Sequence, residues 1–236
     1  SVLLNRPLRR YIRPADAQSV DPMHVLVSNG AINFEIFECF TSFGYRRSYD
    51  AMRTLAAADW RSPKLRSNIS RKNPFDVKHE EASNNEARTF KCQASELLTV
   101  VPLVRYFVDA VIARERRYRK QAASFEAVHD LLCLTMESKL RDNVEPARID
   151  SAASFHLQRF MTAYGADALK PKHHSEMHIG DNCRKLHGVS DCFVQERKGG
   201  LIKAAADTID FTDRYERTTL LRVLHSELRT LSDASL

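Results

Sequence analysis

The chain has 236 residues, is 43% hydrophobic and 28% charged, and carries a formal net charge of +6 at pH 7. These proportions exclude a disordered or low-complexity chain, and seven glycines are too few for a turn-rich all-β fold. The positive balance permits phosphate contact without demanding it. Residues 1–20 hold Arg6, Arg9, Arg10 and Arg13 with Pro7 and Pro14. They read as a basic arm leading to a short strand near Gln18–Val20, or as a solvated loop. From Ala31 the apolar spacing is helical. Ile32, Ile36, Phe37 and Phe40 predict a helix to Tyr45 with Gly44 near its end. A second helix is expected from Ser48 to about Trp60, with Met52, Leu55 and Ala56 inward. Residues 61–91 are polar and broken, and read as a long connection.

Ala94–Arg114 is the clearest helical pattern, with Leu97, Val100, Val101, Val104, Phe107, Val108 and Val111 on one face. The run Arg114, Arg116, Arg117, Arg119 and Lys120 then suits a helix C-terminus, where cations complement the dipole, or a DNA-facing patch. Ser124 is placed to cap a helix to about Leu140 that buries Val128, Leu131, Leu132 and Met136. Ile149–Tyr164 carries Ala153, His156, Phe160 and Tyr164 along one stripe, and Gly165 fits the position after its end. Asp213 with Glu216 resembles a capping box for a last helix whose Leu220, Leu221, Leu224, Leu228 and Leu231 face inward.

Five cysteines (Cys39, Cys92, Cys133, Cys183, Cys192) are widely spaced, as expected of reduced thiols in a nuclear or cytoplasmic protein. The longest apolar-rich run, Leu97–Ala113, is interrupted by Pro102, Arg105 and Asp109, so no membrane span is expected. The start at Ser1-Val2 without methionine reads as a fragment or a processed chain. Phosphate-binding loops, nucleophile elbows and dinucleotide fingerprints find no match.

Three short motifs carry chemistry: Asp21-Pro22-Met23-His24, then Lys170-Pro171-Lys172-His173-His174 with His178, then Phe193-Val194-Gln195-Glu196-Arg197-Lys198. As an ordered set over about residues 18–228, they resemble the second and third acidic positions of cut-and-paste DNA transposases. The likeness is to the CACTA type and to the transposase-like proteins abundant in dinoflagellate genomes. It implies a mainly α chain, a helical bundle attached to a partial ribonuclease-H-like core with little strand. Residues 1–30 would be the basic arm and core remnant, 31–190 a helical insertion, and 191–236 the helices bearing the third acidic position. Asp21 and Glu196 would be the catalytic, metal-binding carboxylates, within ~5–8 Å of each other if they share a two-metal centre. His24, Arg197, Lys198 and Lys203 would contact nucleic acid.

The same resemblance implies Mg²⁺ or Mn²⁺ in a complete enzyme, DNA as partner, and compatibility with a homo-oligomer. The family's first aspartate lies upstream of anything here, so the chain alone is expected to be inactive. Gly199-Gly200 and Ala204-Ala205-Ala206 stand where the family carries a histidine and more basic residues, which weakens phosphate contact. The alternative is a non-catalytic α-helical DNA- or protein-binding module derived from a transposon remnant. His173, His174, His178, Cys183, His187 and Cys192 suggest zinc by residue type, with His174 and His178 on one helix face. No pair has Cys-x-x-Cys spacing, so a structural zinc is disfavoured.

Overall fold

The computed structural model describes residues 20–57, 73–84, 88–141, 144–189 and 218–225. Two units separate along the chain, 1–190 and 191–236. In the first, a π-helical turn at Met23–Val27 precedes α1 (Ala31–Phe43) and α2 (Tyr45–Ala57). α3 (Val77–Asn84) and α4 (Ala94–Phe107) follow, and a second π-turn at Val108–Ile112 extends α4. Then come the long antiparallel neighbours α5 (Arg119–Arg141) and α6 (Pro146–Tyr164), and the short α7 (Pro171–Glu176) and α8 (Ile179–Leu186). Among the described residues there is no strand, so the mainly α expectation holds. Val20 is without regular structure; the remainder of the expected strand, residues 18–19, lies outside the described residues.

α5 and α6 make the most extensive helix pair, α1 lies against α5, and α8 crosses α6. The core at the α1–α2–α4 end is aromatic. Phe40 meets Tyr49, Phe90 and Phe107 edge-on, with ring centres 5.7, 6.3 and 5.8 Å away, the arrangement that the ring quadrupoles favour. Buried Asn33 locks the segment before α4 onto α1: its Nδ2 donates to the Phe90 carbonyl at 2.9 Å, and its Oδ1 accepts the Gly30 N–H at 3.0 Å.

Several sequence expectations are corrected. α2 begins at Tyr45 rather than Ser48, and its described part ends at Ala57. The expected long connection contains α3, whose N-terminal turn Asp76 organises by accepting the His79 N–H at 2.8 Å. The basic run is not a helix C-terminus: α4 gives way to the π-turn, and Arg119 and Lys120 open α5. Arg, Lys, Gln and Ala all propagate helix well, so α5 starts five residues before Ser124. Ser124 therefore sits buried inside the helix instead of capping it. In the second unit, residues 218–225 are helical, but Leu220, Leu221 and Leu224 are 60%, 47% and 45% exposed rather than inward. The Asp213–Glu216 box, Leu228 and Leu231 lie outside the described residues.

Candidate functional site

The first motif forms its own short turn. Asp21 Oδ1 accepts the Met23 N–H at 3.1 Å, and Oδ2 meets His24 Nδ1. Pro22 supplies a fixed φ at the turn's first position, where no N–H is needed. The side chains of Asp21 and His24 are 23% and 43% exposed, while Met23, Val25, Leu26 and Val27 are buried. The turn is thus anchored by its apolar residues and presents its polar pair outward. Gly30 closes it: a Cβ there would run into the backbone of Val25, Leu26 and Val27.

The second motif is a helix start. Pro171 is the first residue of α7, and His173 Nδ1 reaches back to accept the Lys170 N–H at 2.9 Å, as a capping-box side chain does. α7 packs on the Met23–Val27 turn, and Asn182 of α8 donates its Nδ2 to the Val20 carbonyl at 2.8 Å. Two motifs some 150 residues apart in sequence are therefore neighbours. Glu196, Arg197, Lys198 and Lys203 lie outside the described residues, so the expected Asp21–Glu196 approach falls there too.

Behind α7 lies a buried polar cluster that the sequence reading did not assemble. His156 of α6 places Nδ1 2.8 Å from Glu176 Oε2 and Nε2 3.3 Å from Glu35 Oε2. Glu35 also accepts Ser124 Oγ at 3.1 Å and the Tyr164 hydroxyl at 2.9 Å. The side chains of Glu35, Glu176 and His156 are fully buried. Burial alone would strip the proton from His156, but the Glu176 and Glu35 carboxylates outweigh it and raise its pKa to about 10. The ring is an imidazolium that donates to both acids. Burial pushes the Glu176 carboxyl up, against the pull of His156. Burial and the Glu35 charge push the Cys39 thiol far above its usual range, so Cys39 is an inert core residue.

His173 is the opposite case. Burial, then the His156 cation, lower its pKa to about 4. With Nδ1 accepting the Lys170 N–H, the neutral ring carries its proton on Nε2. That nitrogen and Glu176 Oε1 are buried without a protein partner. The ring lies 4.1 Å from Phe160, centre to centre.

His156 was legible as an inward residue. Glu35 carried a usable signal, because its helical neighbours Ile32, Ile36 and Cys39 are all apolar, which puts a carboxylate on the buried face. Glu176 had none, since α7 is too short for a pattern to emerge.

The described histidines and cysteines between His173 and His187 do not converge on one point. His173 is buried, His174 and His178 are exposed and face each other, Cys183 is buried, and His187 ends α8 in the left-handed conformation at φ 54°. Cys192 lies outside the described residues. Among the described residues no group of three or more His, Cys, Asp and Glu is placed to hold a metal, and no helix is long and apolar enough to cross a membrane. No family model, curated protein or solved structure matches the chain.

Proposed function

We propose that this chain is part of a transposase-like DNA strand transferase, in which Asp21 is one of the metal-binding carboxylates and Glu196 another. The observation that supports the reading is the contact between the Met23–Val27 turn, which follows Asp21, and the Pro171–Glu176 helix of the second motif. Two elements of one ordered motif set share a surface although the chain between them folds as a helical bundle. Asp21 fits an Mg²⁺ or Mn²⁺ ligand chemically: it is a partly exposed carboxylate, and hard cations prefer such oxygens. The Met23 N–H and the His24 ring hold its two oxygens in a fixed orientation. In a complete site the metal ions supply activation of the attacking oxygen and charge neutralisation at the phosphate. This chain's residues orient that chemistry: His24 fixes the Asp21 carboxylate, and α7 backs the turn. Exposed Arg114, Arg116, Arg117, Arg119 and Lys120 give phosphates a sequence-independent landing surface.

A second reading, a non-catalytic helical DNA- or protein-binding module, is favoured by one observation. The Asp21 hydrogen bonds to Met23 and His24 are also what a purely structural turn residue makes. Asp21→Asn separates the two, because asparagine caps as well as aspartate but lacks the charge for a divalent ion. The assay is Mn²⁺-dependent nicking of supercoiled DNA by the chain joined to a segment that supplies a third carboxylate. Nicking lost in Asp21→Asn at unchanged thermal stability supports the transferase. Nicking unaffected by Asp21→Asn, or absent from the complemented wild type, leaves the binding module.

A further inference from the structure

The exposed histidines of α7 and the following turn have a geometry that neither the transferase reading nor the buried cluster uses. His174 Nε2 and His178 Nε2 stand 3.2 Å apart, sharing one N–H···N hydrogen bond whose proton an ion would replace; the ring centres are 4.9 Å apart, and the ring planes meet at 76°. An imidazole nitrogen lies ~1.15 Å from its ring centre, and Zn–N bonds are ~2.0–2.1 Å. Two imidazoles meeting one ion at an angle of about 100° therefore place their nitrogens ~3.1 Å and their ring centres ~4.9 Å apart. Both observed separations match.

The backbone explains why the pair is already set. His174 lies in α7, and His178 follows one turn later, where the His178 N–H donates to the Ser175 carbonyl at 3.1 Å before α8 begins. Beneath them, buried His173 and Glu176 are the inward residues of the same short helix. Burying those two turns His174 and His178 to solvent, where they lie one above the other as an i, i+4 pair.

We propose that His174 and His178 form a two-histidine chelate for a borderline divalent transition ion, Zn²⁺, Ni²⁺ or Cu²⁺, open to solvent on its remaining positions. Imidazole nitrogens select these ions over Mg²⁺ and Ca²⁺, which take oxygen ligands. Asp181, the next carboxylate along the chain, is bound to Arg184, so water or an external donor completes the coordination. The site is distinct in kind from a closed structural zinc, which needs four protein ligands. It binds only when both rings are neutral, so acid releases the ion.

The test is a titration of the full chain with Zn²⁺ by calorimetry and with Co²⁺ by visible absorption, after alkylation of accessible thiols. The expected result is one ion per chain, competed by protons and not by Mg²⁺, and lost in His174→Ala and in His178→Ala. Both residues are exposed, and an unchanged circular dichroism spectrum in each variant reports an intact fold. His129→Ala is the control, since His129 lies 3.7 Å from Cys133 Sγ on α5 and forms another i, i+4 pair of possible ligands. His187→Asn is a second control, because His187 is exposed and stands four residues after Cys183, and its Zn²⁺ binding is expected to equal that of wild type. Zn²⁺ binding that survives the His174→Ala/His178→Ala double variant, or that disappears in either control, overturns the assignment. So does a wild type that binds no ion at neutral pH.

Discussion

His156 keeps its proton in a buried place because two carboxylates make the neutral ring the more costly state. Its folded pKa of about 10 stands above the ordinary value of about 6.5. A raised pKa means the native state binds the proton more tightly than the unfolded chain does. The stabilisation is complete below about pH 6.5 and declines as pH rises toward about 10. Stability measured by urea midpoint should therefore fall between pH 6.5 and 7.5, below the range in which unfolded cysteine and tyrosine ionise. In His156→Leu that slope should be largely gone. The same variant leaves Glu35 and Glu176 buried without their cation, a loss of about 3–5 kcal/mol. A variant as stable as wild type with an unchanged pH slope would mean that His156 is neutral in the fold. At Asp21, Asn substitution should leave the melting temperature within measurement error. Asp21→Ala, which removes the cap, should cost about 0.5–2 kcal/mol.

The elements show where sequence patterns read truly and where they fail. α1, α4 and α6 were legible because each has one apolar face at helical spacing: Ile32, Ile36 and Phe40, then Leu97, Val101 and Val104, then Ala153 and Phe160 are buried. Starts were less legible. Ser124 has the chemistry of a cap, but the residues before it are helix formers, and its hydroxyl found Glu35 across the α1–α5 contact instead. α3 was missed because no apolar periodicity marks it; it is held at its start by Asp76 and by Arg53, which donates Nε to the Phe75 carbonyl at 2.8 Å and pairs with Glu80. Of the candidate site, the Asp21–His24 turn and the His173–His178 segment were visible as motifs. Their adjacency was not, because it depends on how α6 and α8 return α7 to the start of the chain. Gly180 makes that return possible: a Cβ there would overlap Asp150 and press on the Pro146 carbonyl at 2.8 Å. Gly180→Ala should force α8 away from α6 and cost about 1–3 kcal/mol as an overpacked contact. It should also disturb the Asn182–Val20 hydrogen bond and so the Asp21 turn. Denaturant unfolding with the Asp21 and Met23 amide shifts as reporters measures both, and a Gly180→Ala chain with wild-type stability would show that the α6–α8 crossing can relax.

At the scale of the molecule, the charge of +6 matters only through where it is displayed. Glu115 binds Arg47 and Arg117 at 3.3 and 2.9 Å, which reduces the field of the basic run from within. Arg114, Arg116, Arg119 and Lys120 remain exposed around the turn into α5. Cations at a helix N-terminus oppose the helix dipole, so the fold gains nothing from charge at Arg119 and Lys120, while a phosphate backbone would. Random duplex DNA should therefore bind weakly and without sequence preference, with log K falling linearly against log salt by ~0.9 per phosphate neutralised. Replacing Arg116 and Arg119 with Gln should lower that slope by about 2, one unit for each lost phosphate contact, and weaken binding to every sequence alike. Glu115→Gln should act in reverse, strengthening binding at low salt by releasing two arginines. The measurement is fluorescence anisotropy of a labelled random duplex across a salt series for the three proteins. An unchanged slope in the Arg116/Arg119 variant would move the DNA surface away from α5, and a wild type that binds no DNA at low salt would favour a protein-binding module over any nucleic-acid role.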